Sequence, residues 1–178
     1  MERVLIVDSI STKKGIINKD VNGGLGTRTQ IGNSFRAKFL EYIKKTNVIL
    51  PLIEYGYVAS ILKTKGYKID YHQESNQNLS LLMEKIRKEN YSYILFHPAL
   101  VAYKTDIEIA NHIKQKFPNI ILGAFGPFVS ACPKEISDYF DWVAIGEIDK
   151  LLIDNALDKL EGVCHANGYI DNLDSLPF

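Results

Sequence analysis

Short apolar runs alternate with amphipathic stretches along most of the chain. RVLIVD (residues 3–8) is apolar and rich in β-branched residues, the pattern of a buried strand. Residues 9–33 are polar and glycine-rich, and no core face can be drawn through them. A connection of that length in a compact domain is usually functional or mobile. SFRAKFLEYIKK then predicts a short helix with Phe35, Phe39 and Tyr42 on one side. LPLIEYGYVASILKTKG predicts a second helix. Pro51 suits its first turn, Ile53, Tyr57 and Ile61 recur at helical spacing, and Gly66 suits its C-terminal cap.

Four further strands follow, YKIDYH, YSYILFH, NIILG and DWVAIG. Between and after them lie the helical patterns LSLLMEKIRKEN, DIEIANHIKQKF, PKEISDYF and DKLLIDNALDKLEG. In the first of these Leu79, Leu82, Met83 and Ile86 face inward. The strands are apolar rather than strictly alternating, as when helices cover both faces of a sheet. Strand and helix alternate five times, which predicts a parallel, doubly wound α/β sheet. The tail, GVCHANGYIDNLDSLPF, shows two short extended runs around Asn167-Gly168, a hairpin-turn pair.

Composition narrows the function. The 178 residues hold 46% hydrophobic and 24% charged residues, which suits one soluble domain. Lys plus Arg is 21 and Asp plus Glu is 21, giving no net charge. That speaks against a nucleic-acid platform and against polybasic membrane docking. No apolar run reaches the roughly 20 residues of a membrane span, and MERVLIVDS is not a signal peptide, so a cytoplasmic protein is expected. Cys132 and Cys164 are far apart and have no metal-ligand spacing, so two reduced thiols are expected.

In an open parallel sheet a ligand lies beyond the carboxyl ends of the strands. That rule selects the glycine-rich loop after strand one, HPALVAY from His97, GAFGPFV from Gly123 and GEID from Gly146. These loops are glycine-rich and apolar, with no carboxylate pair, no Ser/His/Asp set and no Cys/His pair. Such a rim suits a large, flat, partly apolar ligand better than acid–base work. Gly123 and Gly126 either let a ligand approach the backbone or shape a strand-to-helix turn.

From about Leu50 onward the chain resembles the N-terminal cobalamin-binding domain of cobalamin-dependent radical S-adenosylmethionine (SAM) enzymes. The resemblance is carried by LPLIEYGYVASILKTKGYKIDYH, by IANHIKQKFPNIILGAFGPFVSACPKEI, by DWVAIGEIDKLL, similar to the family's Asp-x-Val-x-x-Gly-Glu-Gly-Glu, and by GYIDNLDSLPF, similar to the linker into the radical SAM barrel. Of Gly-Glu-Gly-Glu only Gly146-Glu147 remains, and the loop after strand four is Gly-Ala-Phe-Gly in place of Gly-Gly. The Cys-x-x-x-Cys-x-x-Cys of an iron–sulfur cluster is absent. The resemblance therefore implies a flavodoxin-like, Rossmann-like domain over residues 1–162, with five parallel strands in order 2-1-3-4-5. Residues 163–178 would be a hairpin and linker toward a separate radical SAM domain, the bearer of the cluster and of SAM.

The implied cofactor is cobalamin, and the implied activity of the whole enzyme is methyl transfer. The implied contacts are His97, Pro98, Ala99, Leu100, Gly123, Ala124, Phe125, Gly126, Pro127, Gly146, Glu147 and Ile148. Asp8 is followed by SISTKKG, without the Asp-x-His-x-x-Gly of methionine-synthase-type domains, so a cobalamin without a histidine ligand from that loop is expected. His97 is the one alternative ligand, and its other reading is a ring packed at a strand end. His72, His112 and His165 read as structural or solvated. Glu147 either lines the nucleotide tail or sits favourably at a helix start.

GGLGTR, within residues 22–32, is similar to the phosphate loop of sugar nucleotidyltransferases. Gly24, Gly26, Thr27 and Arg28 would there meet a phosphate. In that family the loop directly follows strand one, whereas here SISTKKGIINKDV intervenes. These four residues are read instead as contacts bordering the cobalamin site. Two rival functions remain, a nucleotidyltransferase- or glycosyltransferase-like nucleotide binder, and an interaction domain of the same fold without a cofactor.

Overall fold

Strand residues point alternately to two opposite sides of one sheet, and both sides are apolar. In β1 (Arg3–Ile10), Val4 and Ile6 join one core cluster while Leu5 and Val7 join the other. In β3 (Tyr93–Phe96), Tyr93 and Leu95 divide from Ile94 and Phe96 in the same way. This is the two-residue period of a strand buried on both faces, and it explains the near-continuous apolar runs in the sequence. The computed structural model describes residues 2–10, 33–44, 52–75, 79–100 and 102–177. The GGLGTR stretch, with Gly24, Gly26, Thr27 and Arg28, lies outside them, as does Pro51.

The sheet contains β1, β2 (Lys68–Ser75), β3, β4 (Ile121–Ala124), β5 (Trp142–Ile145) and β6 (Gly162–His165), in spatial order 2-1-3-4-5-6. Every pairing is parallel, and the register runs from Arg3 opposite Lys68 to Ile10 opposite Ser75. One core cluster packs against α2 (Ile53–Thr64) and α6 (Ile148–Asp154). The other packs against α3 (Ser80–Glu89) and α4 (Tyr103–Lys116). A short α5 (Pro127–Ala131) and two 3-10 turns lead into β5, and α1 (Phe35–Lys44) precedes α2. The chain is thus an α/β protein with a flavodoxin- or Rossmann-like parallel sheet. Among the described residues no helix is long and apolar enough to cross a membrane.

Several local expectations are corrected. The tail is not a hairpin, because Gly162–His165 adds to the edge of the sheet as a sixth parallel strand, from Trp142 opposite Gly162 to Ile145 opposite His165. Gly168 does turn the chain, with φ +83°, but no strand follows it among the described residues. The free edge of β5 offers the first extended run a complete ladder, which outcompetes a two-stranded ribbon that is marginal by itself. On α2 the buried face is Tyr55, Val58, Ile61 and Leu62, and Ile53 is exposed. Phe35 and Phe39 of α1 are likewise exposed. PKEISDYF forms 3-10 turns rather than a helix, and the final helix stops at Asp154.

Candidate functional site

At the carboxyl ends of β4 and β5 the chain leaves the sheet through two glycines in the left-handed region, Gly126 (φ +114°) and Gly146 (φ +88°). Both are favoured there because a Cβ raises the energy of such backbone. Ser130, which the sequence pattern does not single out, joins these loops. Ser130 Oγ donates to Gly126 O (3.2 Å) and accepts from Gly146 N (3.0 Å). Ser130 therefore holds the two loops in register one helical turn above the strand ends.

The loops border a crevice of about 490 Å³. Its walls include Phe125, Gly126 and Pro127 from the β4 loop, and Gly146, Glu147 and Ile148 from the β5 loop. These are six of the residues singled out in the sequence, and the fold brings them together. Glu54 and Tyr57 of α2 close one side, and Ile170, Leu173, Asp174 and Leu176 of the C-terminal segment close another. Every charged side chain among the described lining residues is a carboxylate: Glu54, Glu147, Asp149 and Asp174. Burial, with the nearby Glu147 and Glu54 charges, pushes the Asp149 carboxyl up to about 6. Its Oδ1 has no hydrogen-bond partner.

His97 stands beside this crevice rather than in its lining. Its ring is only 5% exposed and meets Tyr55 and Phe125 edge-on, with ring centroids 5.9 and 5.3 Å away. Nε2 lies 2.8 Å from Glu54 Oε2, an ion-pair approach without hydrogen-bond alignment, and Nδ1 has no hydrogen-bond partner. The imidazole holds the Glu54 carboxyl below the usual carboxylate range. The ring also lies directly against the Gly126 backbone, where a Cβ would fall 2.6 Å from Cδ2.

The remaining sequence candidates are spread out. Pro98 is buried, Ala99 is half-buried, and Leu100 projects at the top of β3, 71% exposed. Gly123 and Ala124 lie inside β4, opposite Trp142 and Val143. A Cβ on Gly123 would overlap the Trp142 ring, so this glycine makes room for a buried indole.

A second polar layer, not anticipated from the sequence, lies at the end of β1. Asp8 accepts from Tyr55 Oη (3.2 Å), Tyr71 Oη (2.8 Å) and Gln73 Nε2 (3.2 Å). Ser9 Oγ donates to Asp106 Oδ1 at 2.6 Å. Burial, then the Asp8 charge, raises both tyrosine hydroxyls above their ordinary range. Tyr55 thus ties the β1 end to the His97 ring. The signal for Asp8 was present, an acid at a strand end, but its three donors come from elements 47 to 65 residues away.

Chemically, the crevice accepts hydrogen bonds and disfavours anions. Among the described residues no group of three or more His, Cys, Asp or Glu side chains is placed to hold a metal ion. A larger groove of about 540 Å³ runs between α2 and β2, with a mainly aliphatic and aromatic lining that shares Tyr55 and Tyr71 with the polar layer at the end of β1. The smaller crevice is the one that gathers the glycine loops after β4 and β5. No protein-family model matches the chain, and none of the curated proteins is detectably similar to it in sequence.

Proposed function

We propose that this chain is the cobalamin-binding module of a cobalamin-dependent radical SAM enzyme, with the cofactor docked at the crevice beyond β4 and β5. The observation that carries the reading is convergence. The GAFGP loop, the GEID loop and the DNLDSLP tail, three separate segments of the sequence resemblance, border a single cavity. The donor set suits the group. Cobalamin carries primary amides around its corrin rim, and Glu147 and Asp149 accept hydrogen bonds from such amides. Gly146 presents exposed backbone without a side chain at the rim.

When bound, cobalamin supplies a cobalt centre that carries a methyl group. The chain's own part is to bind and orient the corrin. In this reading His97 steadies the β4 loop through Gly126 and Glu54, which leaves cobalt without a histidine from this domain.

The test is a visible-absorption titration with hydroxocobalamin followed by gel filtration. The expected result is co-elution of the chromophore with protein near one equivalent, weakened at least about tenfold, or 1.4 kcal/mol, by Glu147→Lys on the exposed rim. Colourless protein at high cofactor excess would overturn the proposal and favour the interaction domain without a cofactor.

A further inference from the structure

The segment after β6 runs from the sheet edge to α2 and forms one side of the crevice. It begins at the sheet edge, where Ala166 N donates to Ile145 O at 2.9 Å. It ends on α2, where Pro177 lies with Ile53, Gly56, Tyr57 and Ser60 around a small hollow. Leu176 is 6% exposed and belongs to the core cluster beneath α2, and Ile170 packs at the margin of that cluster. Leu173 is 65% exposed on the outer side although it borders the crevice.

The middle of the segment closes hydrogen bonds upon itself. Asp174 N donates to Asn172 Oδ1 (3.0 Å), and Leu176 N donates to Leu173 O (3.1 Å). Gly168 has φ +83° and open space where a Cβ would be, the properties of a pivot. A segment exposed over residues 171–174, between a glycine turn and one deeply buried side chain, opens more easily than the buried strands of the sheet.

We infer that residues 166–177 form a releasable strap along the crevice, pinned by Leu176, and that unseating Leu176 admits the ligand. This rests on the crevice being the cobalamin site. With the strap seated, Ile170, Leu173, Asp174 and Leu176 form part of the wall of the cavity of about 490 Å³, so the strap's position sets its size. Unseated, the strap uncovers the glycine loops and the carboxylates together. Ligand entry is therefore coupled to the position of Pro177 on α2.

The test uses the full chain and two variants, Leu176→Ser to release the plug and Leu176→Met to keep it. Hydrogen–deuterium exchange is read without ligand, and the association rate is read with hydroxocobalamin. In Leu176→Ser, exchange over 167–177 is expected to rise at least about tenfold, the factor given by about 1.4 kcal/mol of lost anchoring. Peptides covering β1 and β3 keep their protection, hydroxocobalamin associates faster, and Leu176→Met behaves as wild type. Exchange that rises across the whole domain would overturn the strap, because the segment would then be part of the global fold. Wild-type binding with an association rate unchanged in Leu176→Ser would overturn the strap alone. Uptake by Leu176→Ser but not by wild type would support both proposals. Failure of both proteins to take up hydroxocobalamin would overturn the cobalamin reading and the gating with it.

Discussion

Replacing Gly126 by alanine tests the central packing of the site. Gly126 has φ +114° and ψ 174°, a region that is essentially reserved for glycine. Holding alanine there costs about 1–3 kcal/mol. The new methyl would also fall 2.6 and 2.9 Å from Cδ2 and Cε1 of His97, and closer still to Nε2. The ring has little room to retreat, since Tyr55 and Phe125 pack edge-on against it and Glu54 holds Nε2. Overpacking of this kind adds about 1–3 kcal/mol. Gly126→Ala is therefore expected to lower stability by about 4 kcal/mol, measured by urea unfolding followed by circular dichroism. In a His97→Ala background the overlap disappears and only the backbone part, about 1–3 kcal/mol, remains. The double-mutant cycle should then show a coupling of about 1–3 kcal/mol, well above the 0.3–0.5 kcal/mol scatter of independent sites. Additive effects would refute the argument that His97 and Gly126 fix each other.

Other perturbations follow from the same geometry. Asp149 keeps its proton up to about pH 6 in the folded protein but releases it near 3.8 when unfolded, so stability falls as pH rises between those values and stays lower above them. Moving a carboxyl that far is worth up to about 3 kcal/mol, and solvent screening at this half-open site reduces it to about 1 kcal/mol. Asp149→Asn should thus be more stable than wild type by about that amount at pH 7.5 and equal to it at pH 4, and an advantage present at both pH values would refute the assignment. Gly123→Ala should cost about 1–3 kcal/mol and red-shift the emission of Trp142, the single, fully buried tryptophan. An unshifted spectrum would show that β4 accommodates the methyl. Asp141 Oδ2 accepts from Leu122 N at 2.6 Å, and the same carboxylate pairs with Lys114. Asp141→Ala should therefore lower stability by about 1.5–3 kcal/mol, whereas Lys114→Met should cost less than about 1 kcal/mol in the same urea experiment.

β1, β3, β4 and β5 were legible because their apolar runs record burial on both faces, whereas none of residues 68–73 in β2 is buried and the strand order was an expectation from the resemblance alone. β6 was not legible. Three of its four residues are exposed, and Asn167-Gly168 offers a turn signal immediately after it. Its crossover is also unusual. β3-α4-β4 and β5-α6-β6 step the same way across the sheet, yet α4 and α6 pack on opposite faces, so the two crossovers have opposite hands. Parallel crossovers share one hand in about 98% of cases, so nothing in the local pattern points to a strand added this way. Ser130 and Glu54 were missed for a related reason. A lone serine on a short helix and a glutamate in a first turn carry no signal until their partners, 16 and 43 residues away, are known.

The sequence by itself determined the two-faced apolar strands, the glycines at the strand ends and the balanced charge. These depend on burial and backbone freedom, which act within a few residues. Only the tertiary structure decided that the β4 and β5 loops share a crevice, that His97 is buried against Gly126, that four carboxylates gather there, and that Leu176 is buried in the core cluster beneath α2. Those relations join residues tens of positions apart. They are set by the order and hand of the crossovers, which no local periodicity encodes.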